Sequence, residues 1–314
     1  MNNDLSVTSK AIQKAQQYNE AAEGAFAENT ERARKADWAI FQSWCDKNGK
    51  TALPCSSETV VKFVDAQAES KKTATVKRYL TTISAAHKAS GLDNPVKNEY
   101  VRLAVRRMAR TYGTRQSQAK ALNWPRIDIA LRTLPETPHS LLDKALISVA
   151  YDTLCRRSEV VAIEMSDISL NDDGSATVLI RKSKTDQTGG GQVKYLAPSS
   201  IEHLKKWLSY ASITCGSVFR GIDRWGNTSD KSLSTEGLVR SFRRVADHTG
   251  LDISEISGHS TRVGACQDLV SAGIEMSAIM QAGGWKNSER VARYSEQLQA
   301  RRGGMAKLAA IQNR

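Results

Sequence analysis

No CxxC pair occurs in the 314 residues, and the five cysteines (Cys45, Cys55, Cys155, Cys215 and Cys266) are odd in number and widely spaced. This argues against a disulfide framework and a zinc knuckle, and predicts reduced thiols. No apolar run approaches the roughly 20 residues of a membrane-spanning helix. The opening residues MNNDLSVTSKAIQKAQ hold no apolar h-region, so no secretory signal is expected and the protein should work in the cytoplasm. There is no GxxxxGK[ST] phosphate loop. His87, His139, His203, His248 and His259 are scattered without carboxylates at ligand spacing, so neither nucleotide nor metal is expected as a cofactor. With six prolines and no long polar tract, the chain does not read as disordered.

Acid is in short supply. The 45 Lys+Arg outnumber the 33 Asp+Glu, a net charge of +12. A polyanion is therefore the expected partner, nucleic acid ahead of an acidic membrane surface. The excess is uneven: residues 1–120 hold 20 basic and 12 acidic side chains, leaving 25 and 21 for residues 121–314.

Residues 1–28 read as an arm plus a helix. Trp38, Phe41, Trp44 and Cys45 recur at helical steps within 31–47. Further helices are predicted over 56–69, which opens on a serine cap, over 73–91 and over 98–113. Lys77 and Arg78 lie on the third of these helices, and Arg102, Arg106, Arg107 and Arg110 form a stripe on the fourth. A solvated face is the ordinary reading of such a stripe; one sign of charge with few acidic neighbours points instead to phosphate contact. TRQSQAKALN (114–123) reads as a linker, which gives domains of 1–117 and 118–314.

The second domain opens with an amphipathic helix over 139–155 that is expected to continue through RRSEVVAIE before turning toward a strand. NDDG (171–174) marks a turn. Strands are predicted over 176–185 and 193–198 around a glycine-rich loop. Helices follow over 199–211, 234–249, 259–272, 275–282, 287–294 and 304–313. The fold class is mainly α: a helical N-terminal domain plus an α+β domain with a small antiparallel sheet.

Chemistry gathers in GHSTRVGA and in the stretch running from it to Tyr294. His259 and Arg262, three apart at a helix start, face the same way and suit an anion. Gly283 and Gly284 break the next helix before Trp285, whose indole is a donor only. Tyr294 comes nine residues later. LCRRSEV adds Arg156 or Arg157, with Glu159 to orient a guanidinium. Lys184 sits at a strand end beside the glycine-rich loop. Each signal taken singly has a bland reading, as a surface pair, a core tryptophan or a packing tyrosine.

Together, LCRRSEV, RKSKT, GHSTRVGA, IMQAGGW and VARY resemble the tyrosine recombinases of the phage integrase family. The resemblance covers essentially the whole chain and is densest from 151 to 294. It implies an active site of Arg156, Glu159, Lys184, His259, Arg262, Trp285 and Tyr294. Tyr294 would be the nucleophile, Arg156 and Arg262 the clamp on the phosphate, His259 the proton acceptor and Lys184 the general acid. The implied product is a 3′-phosphotyrosine with a free 5′-hydroxyl, formed without metal or ATP. The implied partners are double-stranded DNA with inverted half-sites, held in a C-shaped clamp, and further copies of the chain: a dimer on each site, a tetramer around a Holliday junction, and a C-terminal helix exchanged between subunits. Base reading is expected from Lys77 and Arg78, and from Glu236, Arg240 and Arg243 on the 234–249 helix. Arg106, Arg107 and Arg110 are expected on phosphates. A telomere resolvase or type IB topoisomerase, a DNA binder without catalysis, and a phosphate-binding helical protein unrelated to DNA are the alternatives.

Overall fold

Local signals account for four helices of the N-terminal part: α1 (Glu28–Lys47), α2 (Ser57–Ala68), α3 (Thr73–Ala89) and α4 (Glu99–Tyr112). Ser56 and Asn98 cap α2 and α4 by accepting backbone N–H groups of Thr59 and Tyr100. Their apolar stripes meet in a core of Phe41, Phe63, Tyr79, Ile83 and Met108. Phe63 takes the edges of Phe41 and Trp44, with ring centroids 5.0 and 5.4 Å away. The computed structural model describes residues 13–18, 20–184, 186 and 189–314, so much of the expected N-terminal arm lies outside the described residues. The chain divides into two compact units between Gln116 and Ser117.

The second unit is organised round α6 (Pro138–Thr153), which follows α5 (Trp124–Thr133). Leu142 to Ala150 are all buried, because α8 (Pro198–Tyr210), α9 (Thr235–His248) and α10 (Ser260–Ser271) enclose it. Asp143, buried on α6, accepts from Ser241 at 2.6 Å and from Arg244 Nε at 2.7 Å, so the polar group carried inside is satisfied. β1 (Ile168–Leu170), β2 (Ala176–Ile180) and β3 (Gln192–Leu196) form an antiparallel sheet in that order, with Thr177 opposite Tyr195 and Leu179 opposite Val193. Four short helices close the chain: α11 (Met276–Gly283), α12 (Glu289–Tyr294), α13 (Glu296–Arg302) and α14 (Gly304–Ile311).

Several elements differ from expectation. α6 does not run on through Arg156: it stops at Leu154, which adopts the left-handed conformation (φ 50°, ψ 25°). At the break the Thr153 hydroxyl donates to the Val149 carbonyl at 2.7 Å and accepts the Cys155 N–H at 3.3 Å, so the Cys155 N–H has a partner outside the helix. A new short helix, α7 (Arg157–Val160), begins after Arg156. β2 ends at Ile180, so Lys184 stands in the turn beyond it. α5, α13 and a two-stranded hairpin of β4 (Arg220–Ile222) and β5 (Thr228–Ser232) have no counterpart in the sequence reading. The hairpin is short and polar, without the alternation that marks a strand. None of the helices among the described residues is long and apolar enough to cross a membrane.

Candidate active site

The break at Leu154 builds the first part of the site. It places Arg156 at the N-cap of α7, where Glu159 accepts both the Arg156 backbone N–H at 2.8 Å and its guanidinium at 2.7 Å. Two bonds to one carboxylate hold the Arg156 fork in a single direction while neutralising part of its charge. Arg157 lies elsewhere: its stem covers Gly258 and its head is 3.9 Å from Glu236. Of the two arginines, Arg156 is the one held by Glu159.

Arg262, in the first turn of α10, is almost wholly buried. Its guanidinium donates to the carbonyls of Leu154 and, at 3.0 Å, Gly283. Among the described residues no carboxylate lies within ion-pair distance of it. A charged group with only carbonyl acceptors, beside a second arginine, leaves net positive charge in a confined place. That is what an anion requires.

Trp285 lies against Arg262, with the guanidinium carbon 5.0 Å from the ring centroid. Gly284 makes this possible. It ends α11 in the left-handed conformation (φ 62°), which returns the chain immediately and turns the indole inward. The ring of Tyr294 meets Trp285 edge-on at 5.9 Å, at the end of α12. Leu154, Cys266, Ile279 and Val291 form the apolar floor beneath them. Tyr294 itself is half-buried.

His259 stands, exposed, at the N-cap position of α10 and makes no capping bond with its side chain. Protein packed round its ring strips away water, and the guanidiniums of Arg262 and Arg156 repel a further positive charge; both hold its pKa below the ordinary imidazole value. Because the folded-state pKa is the lowered one, the neutral acceptor form persists below the usual 6.5, and protonation costs stability as pH falls through that region. NMR titration of the DNA-free protein should find His259 titrating below 6.5; a midpoint above it would contradict the electrostatic account.

Lys184 is exposed, and no contact joins it to this cluster among the described residues; Thr185, Gln187 and Thr188 beside it lie outside them. The structure thus gathers Arg156, Glu159, His259, Arg262, Trp285 and Tyr294, and leaves Lys184 apart. Sequence reasoning missed Lys194. It is buried on β3 and donates to the carbonyls of Gln281 and Ala282 at 3.2 and 2.8 Å, bracing the end of α11 next to Trp285. Burial, then the neighbouring arginines, press its pKa down. The signal was parity: in QVKYL, Lys194 shares the inward face with Leu196.

The family model of the phage integrase family matches residues 120–301. The chain is 33% identical over 281 residues to the integrase/recombinase xerD homolog of Selenomonas ruminantium, covering 86% of this chain and 82% of that relative. The chain belongs to the phage integrase family. It is a tyrosine recombinase, an enzyme of DNA recombination. The recombinase is also 29% identical over 303 residues to recombinase cre of Escherichia phage P1, covering 90% and 88% of the two chains. Among solved structures, the XerH site-specific recombinase bound to palindromic difH substrate superposes with a TM-score of 0.62 at 16% identity, over 87% of this chain and 77% of that one. A lambda integrase dimer bound to a COC′ core site gives 0.58 at 16% identity, over 89% and 92%. These two share the fold.

The residues expected on DNA differ in how free they are. Lys77, Arg106 and Arg110 are exposed in the N-terminal unit of the recombinase and have no acidic partner among the described residues. Arg107 is exposed but bonded to Asp65 at 2.7 Å. Arg78 grips the buried Asp37 with two bonds of 2.8 and 2.7 Å. Its first role in the fold is to neutralise that carboxylate. Arg78→Ala should therefore lower the stability of the N-terminal unit by about 2 kcal/mol, less than for a fully buried pair because Arg78 is half open to water. Chemical denaturation checks this; weaker DNA binding with unchanged stability would restore a purely base-reading role. Glu236, Arg240 and Arg243 share the exposed face of α9.

Proposed function

We propose that this recombinase cuts and rejoins duplex DNA at a specific site through a 3′-phosphotyrosine on Tyr294. One observation carries the reading: Arg156 and Arg262, with charge to spare, lie beside the Trp285–Tyr294 pair on one apolar floor. The Tyr294 oxygen attacks phosphorus, and the bond from phosphorus to the 5′ oxygen breaks. The phenolic proton passes to neutral His259, while Lys184 supplies a proton to the departing 5′ oxygen. Arg156, oriented by Glu159, and Arg262 stabilise charge growing on the non-bridging oxygens, and the Trp285 N–H donates to one of them. Because the covalent link retains the phosphodiester, a 5′-hydroxyl from a partner strand reverses the step without ATP.

In this reading residues 1–117 bind the core of the site and 118–314 carry catalysis. Phosphate contacts come from Arg106, Arg107 and Arg110, and base contacts from Lys77, Glu236, Arg240 and Arg243, with Arg78 contributing only beyond its pairing to Asp37. Two copies bind inverted half-sites, four exchange strands through a Holliday junction, and all of this takes place in the cytoplasm. Exchange of α14 between subunits is supported by Met305 and Ile311, 67% and 78% exposed on an apolar face.

The test is to incubate the protein with fragmented DNA from its source, denature, and map the 3′ ends attached to protein. Ends clustered at an inverted repeat are expected. Ends scattered over all sequences would indicate a relaxing topoisomerase instead, and salt-sensitive binding without any adduct would indicate a DNA binder without catalysis.

A further inference from the structure

The segment joining the two units is stitched to the catalytic unit at every second residue. The Lys120 N–H donates to the Glu255 carbonyl at 3.2 Å, and the Leu122 N–H to the Ser260 carbonyl at 3.0 Å. The Trp124 N–H donates to Asp268 at 2.7 Å, and the Leu122 side chain is buried. This period of two is that of an extended chain lying against α10 and the turn before it, the segment that carries His259 and Arg262. Two residues before Lys120, Gln118 continues the series with its side chain. Its amide donates to the backbone carbonyl of Tyr294 at 3.1 Å. The same carbonyl accepts the amide of Gln267, from α10, at 2.9 Å. The last carbonyl of α12 is thus held by two side-chain amides, one from the helix bearing Arg262 and one from the joining segment.

Resting on the assignment of Tyr294 as nucleophile, we infer that Gln118 is a positioning residue for the cleavage step. Through the Tyr294 carbonyl it sets the end of α12, and so the angle at which the phenol projects past Trp285. Gln118 touches no reacting atom. A displacement of the joining segment is passed to the backbone of the nucleophile, so cleavage competence in each subunit follows the position of that segment. Both amides belong to the catalytic unit: Gln267 sets the baseline from α10, and Gln118, in the exposed segment that opens the unit, provides the part that can be withdrawn.

The test compares Gln118→Met, which preserves length and packing but has no donor, with Gln118→Lys, which keeps N–H donors, in the full chain. The readouts are the first-order rate of adduct formation at saturating DNA, the Kd for the same DNA, and Tm. Gln118→Met should slow adduct formation about fivefold, the scale of one partly exposed hydrogen bond, with Kd and Tm unchanged. Gln118→Lys should recover most of the rate. Wild-type rates in both variants would overturn the inference, as would a loss explained wholly by weaker binding. Gln118 is exposed, so either variant is expected to fold. A wild-type protein that forms no adduct, with Tyr294→Phe as control, would instead overturn the assignment of Tyr294.

Discussion

Replacing Arg262 with glutamine is expected to slow DNA cleavage at least a thousandfold at saturating DNA. Removing a single preorganised neutral donor from a site of developing charge typically costs about 3–4 kcal/mol, or 100- to 1,000-fold. Arg262 carries a full charge, is buried, and has no carboxylate within ion-pair distance among the described residues. Two of its N–H groups are occupied by the Leu154 and Gly283 carbonyls, which aims the rest of the fork. Arg262→Lys should rescue little, since one ammonium cannot satisfy two carbonyls 129 residues apart in sequence and still grip phosphate with two parallel bonds. Single-turnover cleavage of a nicked substrate measures this. A loss below tenfold would remove Arg262 from the centre of the mechanism.

Gly264→Ala is expected to destabilise the catalytic unit by about 3 kcal/mol or more, at the upper end of overpacking costs. A Cβ at position 264 would overlap the Leu122 carbonyl and lie 2.6 Å from the Asn123 nitrogen. Both obstacles are backbone, so no rotamer change relieves them. The joining segment would have to lift from α10, breaking the Leu122 bond to Ser260 and the Trp124 bond to Asp268. Gly304→Ala, where nothing lies within 4 Å of the added carbon, is the neutral control. Thermal unfolding distinguishes the two, and equal Tm values would mean that the segment does not lie against α10 as described.

Legibility varied with the range of the interaction. The helices of the first unit and most of those in the second were readable, because amphipathic spacing, caps and glycine stops are local. Arg156, Glu159, His259, Arg262, Trp285 and Tyr294 were legible as a set through the family resemblance; singly, each residue had a commonplace alternative. What brings them together was not readable. The left-handed turn at Leu154 looks in sequence like the middle of a helix, and the Arg262 guanidinium that bonds its carbonyl comes from 108 residues away. Lys194 and Gln118 act on backbone carbonyls, an acceptor that every residue carries and that no motif advertises. The role of Arg78 depended on a buried Asp37 that lies 41 residues away.

The most direct test of the central claim is to trap the protein on its DNA, digest it with protease, and identify by mass spectrometry the residue left on the 3′ phosphate. The account predicts a phosphodiester to Tyr294, with no adduct formed by Tyr294→Phe although that variant still binds DNA. An adduct on any other residue, or an undiminished adduct in Tyr294→Phe, would contradict it.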